Sequence, residues 1–467
     1  MAPAILRAMP EIEFSLRDFF HPLAIARLKR DFERHQWLPP EEWRGWREAR
    51  LREVVRVAAE ETLFYRRRFE AGGVRPEEIR TERDLPRLPI VTKDDVRRDG
   101  AAMHASSAAR HQARAAFTSG TTGHSVPFLI DRHARVLEFV YYWRHWSWAG
   151  FRLGARFAQL NAQHFLHGAG ARHAAGTAHW QPHLRRLMLN SAALAAGNAR
   201  DYSDAMRRHR VRFLKGLASP LYYLALLLEE QRLPAPALQA VFSTGESLVP
   251  ARRAVIERVF RCKALDSYGM LEQAASICEC PEGGYHVNAD YCVHEFLATR
   301  FATPGGSPLH AIVGTPLHNR SMPLLRYDVG DLVELAPESA RCPCGRALPL
   351  VKAIHGRTED SVITPDGRCV TALFVVPDFV PGVVAVQFVQ ESERELAVKV
   401  VPAAEFDAAR EAQFIAHVRE LVGSQMSVRL ARVGPEQLQR GPTGKVPLVL
   451  SVVPRARAVE QGSENAL

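Results

Sequence analysis

An α/β architecture is predicted for this chain: a large N-terminal α/β domain of layered sheets, followed by a small C-terminal α+β domain. Three observations predict it. Short apolar runs alternate with helical stretches from about residue 116 to 335, a polar, turn-rich stretch follows at 354–368, and strand-like alternation with one amphipathic helix resumes beyond it. The length of 467 residues also exceeds what one hydrophobic core usually organises.

Residues 11–110 read as mainly helical. LAIARLKRDFERHQWL and EEWRGWREARLREVVRVAAEETLFYRRRF carry apolar residues at helical spacing, with Pro39 and Pro40 between them. TKDD at 92–95 supplies a start for another helix. These segments form a helical region over 1–110 packed on the large domain, whose core spans 111–356. Within that core, FLKGL at 213–217 and LQAVFSTG at 238–245 read as buried strands ending in small residues. SPLYYLALLLEEQRL and PARRAVIERVF read as the helices that follow, so ligand-binding loops are expected at the strands' carboxyl ends. In the C-terminal domain, 357–455, Pro365-Asp366-Gly367 reads as a hairpin turn. VVAVQFVQ and ELAVKVVP read as strands, and FDAAREAQFIAHVRELVG at 406–423 as a helix. Residues 456–467 read as a disordered tail.

Hydrophobic residues at 47% and charged residues at 24% are ordinary for a globular protein, and no apolar run is long enough to cross a bilayer. Glu11 and Glu13 make the N-terminus a poor secretion signal, so a cytoplasmic location is expected. The net charge of +10 suits an anionic partner such as a nucleotide or CoA. The densest basic runs, RRRF at 66–69 and MRRHR at 206–210, fit solvated helix faces, and no nucleic-acid module is recognisable.

Seven cysteines, an odd number, argue against a disulfide framework. Cys262, Cys292 and Cys369 read as isolated core thiols. Cys278/Cys280 and Cys342/Cys344 form two C-x-C pairs. Cys280, His286, Cys342 and Cys344 would give a closed Cys₃His site for structural Zn²⁺, with Cys278 as a substitute ligand.

The strongest single motif is AAFTSGTTGHSVPF at 115–128. Gly120 and Gly123 allow tight turns, and the hydroxyls of Thr118, Ser119, Thr121 and Thr122 can be aimed at phosphate oxygens. No Gly-Lys-Ser/Thr follows, so this is not a Walker A loop.

TSGTTG resembles the phosphate loop of the acyl-adenylate-forming superfamily, and five further stretches follow in the order that resemblance implies. They are VFSTGESL (241–248), DSYGMLE (266–272), LLRYDVGDL (324–332), GRTED (356–360) and GPTGKVP (441–447). Within the superfamily the chain is similar to the phenylacetate–CoA ligase and CapK-like branch, through LFYRRRF, DLPRLPIVTKDDV, ECPEGGYHVNADYCVHEF and CPCGRALPLVKAIHGR.

The resemblance implies an adenylate-forming fold with a mobile C-terminal lid, ATP and Mg²⁺ as cofactors, and a small-molecule carboxylic acid as substrate. It implies that Thr118, Ser119, Gly120, Thr121, Thr122 and Gly123 hold phosphates, with Thr118 in the catalytic set. Gly245, Glu246, Ser267, Tyr268, Gly269 and Met270 would line the nucleotide site, with Tyr268 along the adenine. Glu272 would hold Mg²⁺, Asp331 would accept the ribose hydroxyls, and Arg357 would contact the nucleotide. Asp360 would be the hinge. Lys445 would be the cation that stabilises the adenylation transition state, arriving when the small domain closes.

Three departures bear on function. Leu271 stands where many relatives have Thr or Ser, and His124-Ser125-Val126 stands where most have Pro-Lys. After GRTED the chain reads SVITPDGRCVTALFV, a plain hairpin where CoA ligases carry a Gly-rich loop along the pantetheine tunnel. CoA is the leading acceptor; an amine, a hydroxyl or a carrier-protein thiol is the alternative, as in a CapK-like ligase. A non-catalytic nucleotide-binding scaffold is a third reading. HWSWAGF (145–151) and LNAQHFLHG (160–168) lie in the region where members of that branch bind substrate. An aromatic stripe is more often core than pocket, however, and His164 and His167 read as ordinary partly buried histidines rather than contacts to a polar acid. The oligomeric state is open, a homodimer being one option.

Overall fold

The computed structural model describes residues 22–117, 127–161, 165, 176–303, 306–357, 361–370, 373, 376–380, 382–403, 406–439 and 446–453. The N-terminal region is helical as expected: α1 (Pro22–His35), α2 (Arg44–Glu61), α3 (Leu63–Gly72) and α4 (Lys93–Asp99). The helical pattern over 41–69 is broken at one residue. Thr62 takes an extended conformation, φ −120° and ψ 140°. Its buried hydroxyl donates to the Ala58 carbonyl at 2.7 Å and accepts from Tyr65 N–H at 3.2 Å. One side chain thus ends α2 and caps α3. At Thr92 a capping box with Asp95 starts α4, as the TKDD run implied.

In the large domain, β1 (Arg114–Phe117) and β2 (Pro127–Ile130) pair antiparallel and flank the hydroxyl-and-glycine motif. The other strands are β3 (Phe157–Leu160), β4 (Ala178–Gln181), β5 (Arg186–Leu189), β6 (Phe213–Gly216), β7 (Ala240–Thr244), β8 (Lys263–Gly269), β9 (Ser276–Glu279), β10 (Tyr285–Val287), β11 (Cys292–Ala302), β12 (Pro308–Pro316), β13 (Tyr327–Leu335) and β14 (Leu350–Arg357). They form one twelve-stranded sheet, ordered β11-β12-β13-β14-β10-β9-β8-β7-β6-β3-β5-β4. From β5 through β3, β6 and β7 to β8 the ladder is parallel; from β8 to β11 it is antiparallel. The helices are α5 (Arg132–Trp148), α6 (Ala199–Arg208), α7 (Ala218–Glu230) and α8 (Pro250–Phe260), of which α7 and α8 connect neighbouring parallel strands. Both predicted strand–helix units are present, β6 with α7 and β7 with α8. Their apolar runs build a core that includes Leu214, Leu221, Leu224, Val241 and Ile256.

The C-terminal part has its own core, including Phe388, Val398, Phe414 and Val418. The hairpin β15 (Val362–Ile363) and β16 (Cys369–Val370) turns at Pro365-Asp366-Gly367, and Gly367 takes φ +82° there. Strands β17 (Val383–Ser392), β18 (Glu395–Pro402), β19 (Ser427–Arg432) and β20 (Val449–Ser451) form a sheet ordered β19-β18-β17-β20, with α9 (Ala408–Val422) packed on it. Ile363 and Val453 pack against Leu309, Val313 and Leu332 of the large sheet.

Candidate active site

Two motifs far apart in sequence meet at the joint between the parallel and antiparallel halves. Tyr268 lies one residue from the end of β8, and Asp331 lies on β13. Three strands separate β8 from β13, which at about 4.8 Å per step is roughly 19 Å of flat sheet. Yet the Tyr268 hydroxyl donates to Asp331 Oδ2 at 2.6 Å. The antiparallel half therefore curls back over the end of β8. Asp331 is buried, and its direct partner across the β13–β14 ladder is Arg357. Of the expected nucleotide residues, Tyr268, Asp331 and the backbone of Arg357 are brought together.

The neighbouring positions have structural duties. Gly245 follows β7 with φ +74°, and a Cβ there would sit 2.8 Å from Leu217 Cδ2, so only glycine fits. Glu246 accepts from Ser219 N–H at 2.7 Å, placing its carboxylate at the N-terminus of α7. The Ser267 hydroxyl donates to the Ser243 carbonyl at 2.8 Å and ties β8 to β7. Gly269 pairs with Ser276, and Met270 and Glu272 lie in the connection from β8 to β9. Leu271 packs on Ala116, Ile130 and Ala134, an apolar seat beside β1 and β2 where a hydroxyl would gain no partner from these side chains. Thr118, Ser119, Gly120, Thr121, Thr122, Gly123, Asp360 and Lys445 lie outside the described residues, as do His124, His164 and His167.

Around Lys445 the flanks are described. Gln387 on β17 is fully buried. Its Nε2 donates to the Gln439 carbonyl at 2.9 Å and to the Pro447 carbonyl at 3.2 Å, and its Oε1 accepts from Gln439 N–H at 3.0 Å. One amide thus fastens both ends of the segment carrying Lys445. Gln387 is next to Phe388 of the core, so period-2 alternation puts it on the opposite face, and no sequence signal marked its burial.

A small cavity of about 30 Å³ adjoins the end of β8 and Met270 after it, walled by Glu138, Tyr141, Tyr142, Thr244, Cys278 and Tyr291 among others. Glu138, Tyr142 and nearby Lys215 were not marked by any sequence motif; they sit on α5 and β6 and meet only through the fold. The aromatic run at 145–151 packs as core, the commoner role of such a stripe. Trp146 stacks on Phe242 with centroids 5.6 Å apart, and His145 bonds the Glu279 carbonyl at 2.9 Å. Burial pushes His145 down to about 4, so it is a neutral packing residue at pH 7.

The Cys/His constellation is assembled. The donor atoms of Cys280, His286, Cys342 and Cys344 all lie within 4.8 Å of one another. Cys280 Sγ is 3.4 Å from Cys342 Sγ, and Cys344 Sγ is 3.2 Å from His286 Nε2. A tetrahedral Zn²⁺ with its usual bond lengths separates its ligands by roughly 3.3–3.8 Å, so the donor set fits. Gly284 makes room, since a Cβ there would lie 2.7 Å from Cys342 Sγ. Burial pushes the Cys280 thiol up to about 12, and burial pushes His286 down to about 4, leaving a neutral imidazole suited to ligation. At Cys344 burial also pushes upward, but hydrogen bonds from Arg346 outweigh it and hold the thiol below its ordinary value. Cys278, the substitute ligand, is not in this group; its Sγ accepts from Asn288 Nδ2 at 3.4 Å. Of the three expected core thiols, Cys292 is fully buried and Cys262 partly so.

Comparison with known proteins gives four findings. Residues 362–451 match the CapK C-terminal domain family. The chain is 26% identical over 358 residues to a phenylacetate–coenzyme A ligase of Thermus thermophilus, covering 74% of this chain and 78% of the relative. It is 22% identical over 372 residues to protein CapK of Staphylococcus aureus, covering 75% and 77%. A solved 2-hydroxyisobutyryl-CoA ligase, in its postadenylation state with 2-HIB-AMP, superposes with a TM-score of 0.66 over 90% of this chain and 91% of that one, at 22% identity. The fold is that of the adenylate-forming ligases. Among the described residues no helix is long and apolar enough to cross a membrane.

Proposed function

We propose that this chain, a homologue of the phenylacetate–CoA ligases and of CapK with the acyl-adenylate-forming fold, is an AMP-forming carboxylic acid ligase. It activates an acid as acyl-AMP with release of pyrophosphate and then transfers the acyl group to CoA. The observation that carries this reading is the meeting of Tyr268 with Asp331, opposite Arg357, at the carboxyl end of the parallel strands. A phenol ring beside a buried carboxylate offers an adenine a flat surface and a ribose a charged acceptor for its two hydroxyls.

The chemical obstacle is charge. An anionic carboxylate must attack an anionic α-phosphate and expel pyrophosphate, so catalysis is positioning and electrostatic stabilisation. Thr118–Gly123, between β1 and β2, would receive the β- and γ-phosphates with backbone and hydroxyl donors. Glu272 would hold Mg²⁺, which offsets phosphate charge. Lys445, held at both flanks by Gln387, would meet the carboxylate and α-phosphate when the small domain closes, with Asp360 as hinge. Cys280, His286, Cys342 and Cys344 would hold a structural Zn²⁺ that ties β9–β10 to the loop before β14. Thiolate ligation of that kind fits reducing cytoplasm, where we place the reaction.

A second reading has its own support. The plain β15–β16 hairpin follows the hinge where CoA ligases carry a Gly-rich loop, and this part of the chain matches the CapK C-terminal domain. In that reading the acceptor is an amine, a hydroxyl or a carrier-protein thiol. Acid-dependent ATP–pyrophosphate exchange tests the first half-reaction. Following the adenylate with CoA, and separately with hydroxylamine, separates the acceptors: thioester at a rate matching exchange supports CoA, and hydroxamate without thioester supports the second reading.

A further inference from the structure

The cavity beside Tyr268 says something about the acid. It lies between the end of β8, with Met270 after it, and α5, so anything bound there abuts the expected adenylate. Its walls include the phenol rings of Tyr141, Tyr142 and Tyr291, and Glu138 brings in a carboxylate. A carboxylate in such a wall has lost most of its water and needs hydrogen-bond donors to replace it. Gln273 supplies one weakly, with Nε2 at 3.4 Å from Oε2. Gln273 itself is held in the left-handed region, φ 59°, with its amide also reaching the Ala134 carbonyl at 3.2 Å. No further hydrogen bond reaches the Glu138 carboxylate among the described residues, so one oxygen is left for an occupant of the cavity. Burial pushes the Glu138 pKa up, and Lys215 pulls against that rise. Lys215 stands with Nζ 3.9 Å from the Tyr142 ring centroid, so a cation already balances the acid on this side.

We propose that Glu138 is a specificity-determining residue, and that the acid activated here is a short one whose acyl group carries a hydroxyl that donates to the Glu138 carboxylate. The small cavity sets the size, the carboxylate sets the need for a donor, and Lys215 disfavours a substrate ammonium in favour of a neutral hydroxyl. The inference rests on the ligase reading above and adds the class of acid to it.

Acid-dependent pyrophosphate exchange with matched short acids tests it: propanoate, 3-hydroxypropanoate and 3-aminopropanoate. The full-length protein is compared with Glu138→Gln and Glu138→Leu, and thermal melting establishes that both variants are folded. A hydroxylated acid is expected to exceed its unsubstituted partner in kcat/KM by roughly 10- to 100-fold, as for a hydrogen bond to a buried charged group. That preference should shrink in Glu138→Gln and vanish in Glu138→Leu. Equal use of plain and hydroxylated acids, preference for the amino acids, or an unchanged preference in Glu138→Leu each overturns the inference while leaving the ligase reading intact. Absence of exchange with every acid counts against the ligase reading and this inference together.

Discussion

The hydroxyl of Tyr268 donates to the carboxylate of Asp331 at 2.6 Å, across the curl of the large sheet. The bond holds together the two motifs that would grip opposite parts of one nucleoside, the base and the ribose.

Asp331→Asn should raise the KM for ATP in exchange assays by about 10- to 100-fold, the cost of removing charged acceptors from two hydroxyls. Tyr268→Phe keeps the ring and loses the bond to Asp331, so a smaller rise, under about tenfold, is expected. ATP titrations of both variants check this; an unchanged KM in Asp331→Asn contradicts the assignment.

The hydrogen bonds of Gln387 among the described residues stay within its own domain, yet they fix both flanks of the Lys445 segment. Gln387→Leu should therefore lower the kcat of exchange by about 10- to 100-fold, as misplacement of a catalytic group by about 1 Å does, with KM for ATP little changed. Kinetics on the folded fraction decide it. A merely structural role would lower thermal stability and leave kcat per folded molecule unaltered.

The Cys₃His cluster should contain one zinc per chain after gentle purification, measured by elemental analysis. A chelator should lower the melting temperature, because metal affinity is coupled to folding. Gly284→Ala should release the metal, since the added methyl falls 2.7 Å from Cys342 Sγ. Cys278→Ser should retain it, because Cys278 bonds Asn288 instead.

Asp290 and Arg144 form a buried ion pair at 2.7 Å that also takes in Tyr141 and the end of α1 through His35. Asp290→Ala should cost about 3–5 kcal/mol, because it strands a buried guanidinium. Burial alone would raise the Asp290 pKa; the Arg144 guanidinium outweighs it and holds the carboxyl well below the usual range. A lowered folded-state pKa gives stability that is present above the unfolded value, about 3.9, and lost as pH falls toward the folded one. Urea unfolding from pH 7 to pH 3 should show the gap between wild type and Asp290→Asn narrowing below about pH 4.

Much of this was legible in the sequence, for identifiable reasons. Strands such as 213–216 and 240–244 are short apolar runs ending in small residues, and the helices after them carry clear periodicity. The Cys₃His ligands announce themselves by residue type and spacing. Glu138 gave no such sign, because its meaning comes from Gln273 and Lys215, which only the fold brings near it. Cys278 could be separated from Cys280 only by strand register, since adjacent alternate positions share a face and the sequence does not say where β9 ends. The aromatic residues at 145–151 were equally ambiguous, as an aromatic stripe packs in a core or a pocket alike until its neighbours are known.

The most direct test of the central claim is ATP–pyrophosphate exchange with a panel of carboxylic acids, for wild type and Lys445→Ala side by side. The expected result is acid-dependent exchange that falls by roughly 10²- to 10³-fold in the variant, the usual effect of losing one preorganised stabilising group. Exchange supported by no acid, or exchange undiminished in Lys445→Ala, would contradict it.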